Sequence, residues 1–177
     1  MALFCYHERM KERRIPLATS KNSTSVWYDS ASSHVTTHIR DTPDLVHLAA
    51  EIVRQSDIIG PYLQFHVDFG RTVGTSDLVE TAPDDKIIYA KRKNRDCYTV
   101  FNKSKEAQPS SLVTVALEMK ADGTCELVSA WIGSSDSPSF PGTERETPDS
   151  KTYWSTHGLA WGNQEIQAGS ETKICPW

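Results

Sequence analysis

No stretch of this chain approaches the roughly 20 consecutive apolar residues of a membrane-spanning helix. The opening MALFCYHERMKERR also reaches its charges before any apolar run of the length a secretory signal needs. Both absences predict a cytoplasmic protein that leaves membranes alone. Cysteine is sparse, and Cys5, Cys97, Cys125 and Cys175 are scattered with no CxxC pair, which argues against a disulfide framework and against a structural zinc site. Free thiols, mostly buried, are expected. The signatures GxxxxGK[ST], GxGxxG, HExxH and GxSxG are missing as well, so the commonest phosphate-loop, dinucleotide, zinc-protease and hydrolase chemistries lack their motifs. No metal or cofactor is expected. Positive charge is also in deficit: 19 Lys and Arg stand against 23 Asp and Glu, a formal net charge of −4. Phosphate-binding domains usually carry a basic footprint overall, so any such role here must rest on a local patch.

What is present fits a globular chain. Its 177 residues, 38% hydrophobic and 24% charged, suit one domain with a real core. Residues 1–25, a Ser/Thr/Asn/Lys mixture after a short charged segment that could be helical, read as an arm or linker, and 26–177 as a single α+β domain. Val26–Asp29 and Ser33–Ile39 read as short strands. Thr42 offers an N-cap, with Pro43 at the first helical position and Asp44 in the first turn. Leu45, Leu48, Ala49, Ile52 and Val53 then recur at helical spacing to about Gln55. Strands follow at Tyr62–Phe69, Lys86–Lys91, Leu112–Lys120 and Glu126–Ile132, the last two forming a hairpin through Ala-Asp-Gly-Thr. Residues 133–149, with three prolines, read as a long surface loop. Tyr153–Trp161 returns as an apolar, aromatic segment, and Glu171–Trp177 reads as an edge strand. This order predicts an N-terminal helix or helices packed on a mainly antiparallel sheet.

The local patch is the segment YAKRKNRDCYTVFNKSK. With Lys86 it holds Lys91, Arg92, Lys93, Arg95, Lys103 and Lys105, against the single carboxylate of Asp96. Tyr89, Tyr98, Thr99 and Phe101 are interleaved with these cations. A ribbon that holds phosphates by charge and stacks bases on rings has this make-up; so does a solvated strand face.

Three histidine-bearing segments carry candidate chemistry. In the strand Gln64–Phe69, alternation puts Gln64, His66 and Asp68 on one face and Phe65 and Phe69 on the other. A histidine beside a carboxylate can give or take a proton near neutral pH, and the Gly70-Arg71-Thr72-Val73-Gly74-Thr75-Ser76-Asp77 run after it, with its glycines and hydroxyls, suits a loop over a ligand. The second segment, Asp149 to His157, joins hydroxyls, Lys151, Tyr153, Trp154 and His157; an aromatic core with surface serines accounts for it equally. His34 and His38 share a strand face at a spacing that could ligate a metal, but no third ligand stands near them in sequence. His7 and His47 read as packing or surface groups. A thiol site pairing Cys97 with His157 has only the neighbouring cations in its favour.

In order, a helix, the His66 strand, the Lys/Arg strand with Tyr98-Thr99, a hairpin and the late Ser150-Lys151-x-x-Trp154-x-x-His157 segment resemble the barnase–EndoU–colicin–RelE group of small RNA-cleaving domains, in its phage and bacterial-conflict branches. The likeness spans roughly Tyr62 to Trp161 and is one of pattern. It implies a metal-independent endoribonuclease in which the ribose 2′-hydroxyl attacks the adjacent phosphate. His66 and His157 would be the acid–base pair, with Arg92 or Arg95 and Lys91 stabilising the phosphorane charge. Tyr98, Thr99 and Ser150 would contact phosphate or ribose, Lys151 would add a substrate contact, and Tyr153 or Trp154 would stack a base. The implied partners are RNA and, for a toxin, an antitoxin or inhibitor protein. Two other classes fit the same residues: a non-catalytic module for nucleic acid or an acidic protein, and an ADP-ribosyl-transfer enzyme.

Overall fold

The computed structural model describes residues 13–32, 35, 42, 44–93, 95–134, 136–162 and 165–177. Among them run β1 (Arg14–Thr19), β2 (Ser25–Asp29), α1 (Leu45–Gln55), β3 (Tyr62–Asp68), β4 (Gly74–Ser76), β5 (Leu78–Glu80), β6 (Ile87–Lys91), β7 (Tyr98–Asn102), β8 (Gln108–Ser110), β9 (Leu112–Met119), β10 (Cys125–Ile132), α2 (Ser150–Thr156) and β11 (His157–Ala160). The fold is mostly β with some helix. Strand β2 pairs with β10, and β11 with β7, in parallel; every other named pairing is antiparallel. Among the described residues the helices do not form an N-terminal group packed on one sheet, since α1 follows two strands and α2 comes near the end of the order. No described helix is long and apolar enough to cross a membrane.

The chain gathers into two compact units, the first comprising the described residues up to Val73 with Ser111–Ile132. Its five strands lie in the order β1-β2-β10-β9-β3. Alternation along β9 builds the core, because Val113, Val115 and Leu117 point to one side and meet Leu45, Leu48, Ala49, Ile52 and Val53 of α1. Each fully buried aliphatic side chain contributes about 1.5–3 kcal/mol relative to exposure. Thr114 and Ala116, on the other face of β9, are also buried, so this strand is enclosed on both sides.

Two expectations are corrected here. Helix α1 starts at Leu45 rather than beside Thr42, because the Leu45 amide is tied to the Thr42 carbonyl at 3.0 Å in a preceding turn. Asp44 takes the N-cap place without a side-chain cap bond, and Pro43 lies outside the described residues. The arm expected over 1–25 contains an edge strand. β1 pairs with β2 along Arg14–Asp29 to Thr19–Ser25, with a register slip between Pro16 and Ala18. Proline, which cannot donate to a ladder, is tolerated in such a bulged edge strand. Arg13 adds a 3.1 Å ion pair to Asp29, and Leu17 and Ala18 pack against the core. Of the expected segments, residues 1–12 and, but for buried Val35, the strand Ser33–Ile39 lie outside the described residues.

The second unit comprises Gly74–Ser110 with Gly133–Trp177. Its main sheet is ordered β5-β11-β7-β6, and β4 pairs separately with β8. Ile88, Ala90 and Phe101 form its small buried cluster, with Leu159, Trp161 and Ile166 packed against it. The segment Tyr153–Trp161 is not one strand, since α2 gives way to β11 at His157. Nor does Glu171–Trp177 form a strand. Its backbone pairing with β6, among the described residues, is the isolated Tyr89–Thr172 bridge, with bonds of 2.8 Å in both directions. Gly169, at φ +76°, turns the chain between this bridge and the Arg92–Ile166 bridge and prevents a continuous ladder.

Candidate nucleic-acid interface

The basic segment folds as the β6–β7 hairpin with its turn between Lys91 and Tyr98. Register sets Ile88 opposite Phe101, and Lys91 opposite Tyr98. Pleating therefore sends Ile88, Ala90 and Phe101 into the core and leaves Tyr89, Lys91 and Tyr98 together on the other face. The Lys91 ammonium stands 5.6 Å from the centre of the Tyr98 ring.

The seven cations are not equivalent. Lys93 is paired with Glu165 at 2.8 Å, Lys103 with Glu171 at 2.8 Å, and Lys105 with Asp85 at 3.5 Å. Lys103 also lies 4.5 Å over the Trp161 ring. Among the described residues Lys86, Lys91, Arg92 and Arg95 form no salt bridge, and the last three lie at the turn of the hairpin. Arg92 is the most constrained, its Nε buried with no hydrogen-bond acceptor. Burial, then the like charge of Arg95, push its guanidinium down from the ordinary value, while Cys97 and Asp77 act in the opposite sense. Partial desolvation in turn pushes the Asp77 carboxyl up, against the pull of Arg92. Gln167 braces the turn, donating to the carbonyls of Arg92 at 3.2 Å and Arg95 at 2.8 Å.

From Arg92 a row of rings runs to His157. The Arg92 guanidinium lies 6.0 Å from the Phe140 ring, which stacks on Trp154 at 4.0 Å. Tyr153 meets Trp154 edge-on at 5.2 Å and stacks in parallel on His157 at 4.0 Å. The His157 Nδ1 lies 3.1 Å from the Tyr153 carbonyl and 3.0 Å from the Thr156 hydroxyl. With the proton on Nδ1 donated to that carbonyl, Nε2 carries the lone pair and can accept a proton. Burial, and secondarily Asp136, push the Tyr153 phenol up.

No family model, curated protein or solved structure matches this chain. The residues alone therefore carry the functional reading, and several expected contacts move. Trp154 is 3% exposed and its indole donates to the Pro138 carbonyl at 3.0 Å, so it packs the fold and cannot stack a base. Ser150 is fully buried. Its hydroxyl accepts from the Thr147 amide at 2.9 Å and serves the start of α2. Thr99 is buried too, its hydroxyl without a partner. Lys151 stands 3.9 Å from Glu146. His66 belongs to the first unit, on β3, where it is exposed with Gln64 and Asp68 as alternation predicts; its Nδ1 lies 2.9 Å from the Thr114 hydroxyl. The histidine pair is thus divided between two units, and the second unit brings together Lys91, Arg92, Arg95, Tyr98 and, through the row of rings, His157. Cys97 is half-buried and Cys175 exposed, leaving Cys125 as the one buried thiol among the described cysteines. No described group of three His, Cys, Asp or Glu could hold a metal ion, and His34 and His38 lie outside the described residues. Sequence reasoning missed Phe140, Gln167 and Trp177; each is a lone residue in a loop or chain end, where no periodicity could single it out.

Proposed function

We propose that the second unit binds RNA by its phosphates at the turn of the β6–β7 hairpin, with Lys91, Arg92 and Arg95 as the holding cations. One observation carries this reading: Arg92 is held beside the like-charged Arg95 with its buried Nε unsatisfied. A buried donor without an acceptor costs about 1–3 kcal/mol. An anion held on the outer N–H groups of the guanidinium by two parallel bonds offsets the repulsion between Arg92 and Arg95, and the cost of the enclosed Nε marks Arg92 as a residue kept for something other than stability. The decisive experiment replaces Arg92 with Met. The free protein should keep or gain thermal stability while affinity for labelled single-stranded RNA falls. A variant that is less stable, or that binds RNA as well as the parent, would sink the proposal. Binding of an acidic protein in place of RNA would redirect it.

The 3.1 Å approach of the His157 Nδ1 to the Tyr153 carbonyl, which leaves Nε2 to accept a proton when Nδ1 is the donor, supports a second reading, in which the bound RNA is cut. Nε2 of His157 takes the ribose 2′-hydroxyl proton, the freed oxygen bonds to the neighbouring phosphorus, and the P–O5′ bond breaks as O5′ takes a proton from a solvent water. His66, the other member of the expected acid–base pair, belongs to the first unit, and this reading rests on His157. It carries with it a cytoplasmic setting and an inhibitor protein. His157→Gln should abolish cleavage in chelator-treated assays and leave RNA affinity unchanged, whereas undiminished cleavage would exclude the reading.

A further inference from the structure

Beside the hairpin turn, on the face that carries Tyr89, Lys91 and Tyr98, lies a cleft of about 120 Å³ lined by Asp96, Cys97, Tyr98, Pro141, Gly142, Pro176 and Trp177. Its chemistry differs from that of the turn. The cleft has two aromatic rings and two prolines but no cation in its wall. Trp177 is steadied by Tyr89, which it meets edge-on at 5.4 Å. Tyr98 has the Lys91 ammonium over its ring. Among the described lining residues Asp96 contributes the charged side chain, and a carboxylate repels phosphate while accepting hydrogen bonds from N–H groups. The wall thus rejects the anion that the neighbouring cations attract. A flat, uncharged ring with N–H groups at its edge meets each of these conditions.

Building on the phosphate-binding reading, we infer that this cleft is a base subsite: an unpaired nucleobase enters between Tyr98 and Trp177, Asp96 accepts from its edge, and the flanking phosphate lies toward Lys91 and Arg95. Stacking on aromatic side chains is sequence-tolerant because every base has a π-face. The subsite therefore makes the protein a reader of single strands, since bases in a duplex are stacked on each other and cannot enter.

The test compares a short single-stranded RNA oligomer with inorganic polyphosphate and with a duplex of the same sequence, on the full chain. Tyr98→Leu keeps an apolar side chain and removes the ring. It should weaken oligomer binding about 5- to 100-fold, the range set by one lost stacking contact, and leave polyphosphate binding unchanged. Tyr98→Phe, which retains the ring, should bind the oligomer like the parent and guards against a folding defect. Asp96→Asn should bring polyphosphate and oligomer affinities closer together. Equal affinity of the parent for oligomer, duplex and polyphosphate would overturn the subsite and leave the phosphate reading intact. Failure of the parent to bind either oligomer or polyphosphate would remove both.

Discussion

The salt dependence of RNA binding separates the three cations at the hairpin turn from the seven in the basic segment as a whole. Each phosphate contact on a single strand releases counterions and adds about −0.7 to the slope of log affinity against log salt. Lys93, Lys103 and Lys105 are already paired with Glu165, Glu171 and Asp85, and Lys86 precedes β6, at the opposite end of that strand from the turn. Three working contacts predict a slope of about −2, whereas seven would give about −5. Between about 50 and 200 mM salt the affinity should therefore fall by about 20-fold rather than about 1000-fold. Fluorescence anisotropy of a labelled single-stranded oligomer, titrated at several salt concentrations, reads the slope directly. Arg95→Ala should make it shallower by about 0.7, while Lys93→Ala should leave it within error. A parental slope near −5, or a Lys93 variant as affected as the Arg95 variant, would refute the division into paired and working cations.

Other consequences follow from the packing and the titrating groups. Leu117→Ala, at a fully buried position facing α1, should cost about 2–5 kcal/mol in denaturant unfolding. Gly133→Ala would set a Cβ 2.6 Å from the Ser76 hydroxyl oxygen on a backbone at φ +117°, and should destabilise by more than about 1 kcal/mol, a loss that Ser76→Gly only partly restores because the backbone strain remains. Bonds from Thr124 and Arg14 hold the Asp122 carboxyl well below the usual carboxylate range. Its stabilisation is present above the ordinary value of about 4 and is lost as pH falls below it, so Asp122→Asn should flatten the acid limb of the stability–pH curve. Burial, then a hydrogen bond with Cys175, push the Tyr89 phenol up to about 12. The folded state keeps a proton there that the unfolded chain loses near pH ~10, so stability should decline from about 10 and level off above about 12. Cys175→Ala should bring the tyrosine's ultraviolet titration back toward the ordinary value.

Periodic segments were legible from sequence, and the rest of the fold depends on partners distant along the chain. The helix over Leu45–Gln55 and the strands at Tyr62, Leu112 and Cys125 each place enough apolar side chains on one face to declare themselves. Strand β1 does not, because Pro16 and a register slip interrupt its alternation, and β4, β5 and β8 are three residues each, too short to show a period. Helix α2 is written in Thr, Tyr, Trp and Ser, residues that favour strands or turns. Its start depends on the Ser150 hydroxyl receiving the Thr147 amide and on Trp154 filling a site against Phe140. At the candidate site the clustering of cations was visible, and so was the exposed face of His66. Their neutralisation was not, because Glu165 and Glu171 are 72 and 68 residues away from the lysines they pair with.

That neutralisation also resolves the conflict between an acidic chain and a phosphate-binding role. A net charge of −4 opposes a polyanion at long range, yet at physiological salt the Debye length is about 8 Å, so charges beyond the immediate contact are largely screened. Within that distance of the hairpin turn the balance is set by Lys91, Arg92 and Arg95 against Asp77 and Asp96. Glu165, Glu171 and Asp85 are occupied by Lys93, Lys103 and Lys105 and do not compete for the three. A site built this way gains little from electrostatic steering, because the distant field has the wrong sign. Its affinity must reside in slow dissociation from short-range contacts. Stopped-flow measurements should accordingly find an association rate that rises or stays flat as salt is added, with the loss of affinity carried by faster dissociation. An association rate that falls steeply with salt would mean that the ligand is drawn by a basic field larger than this hairpin turn provides.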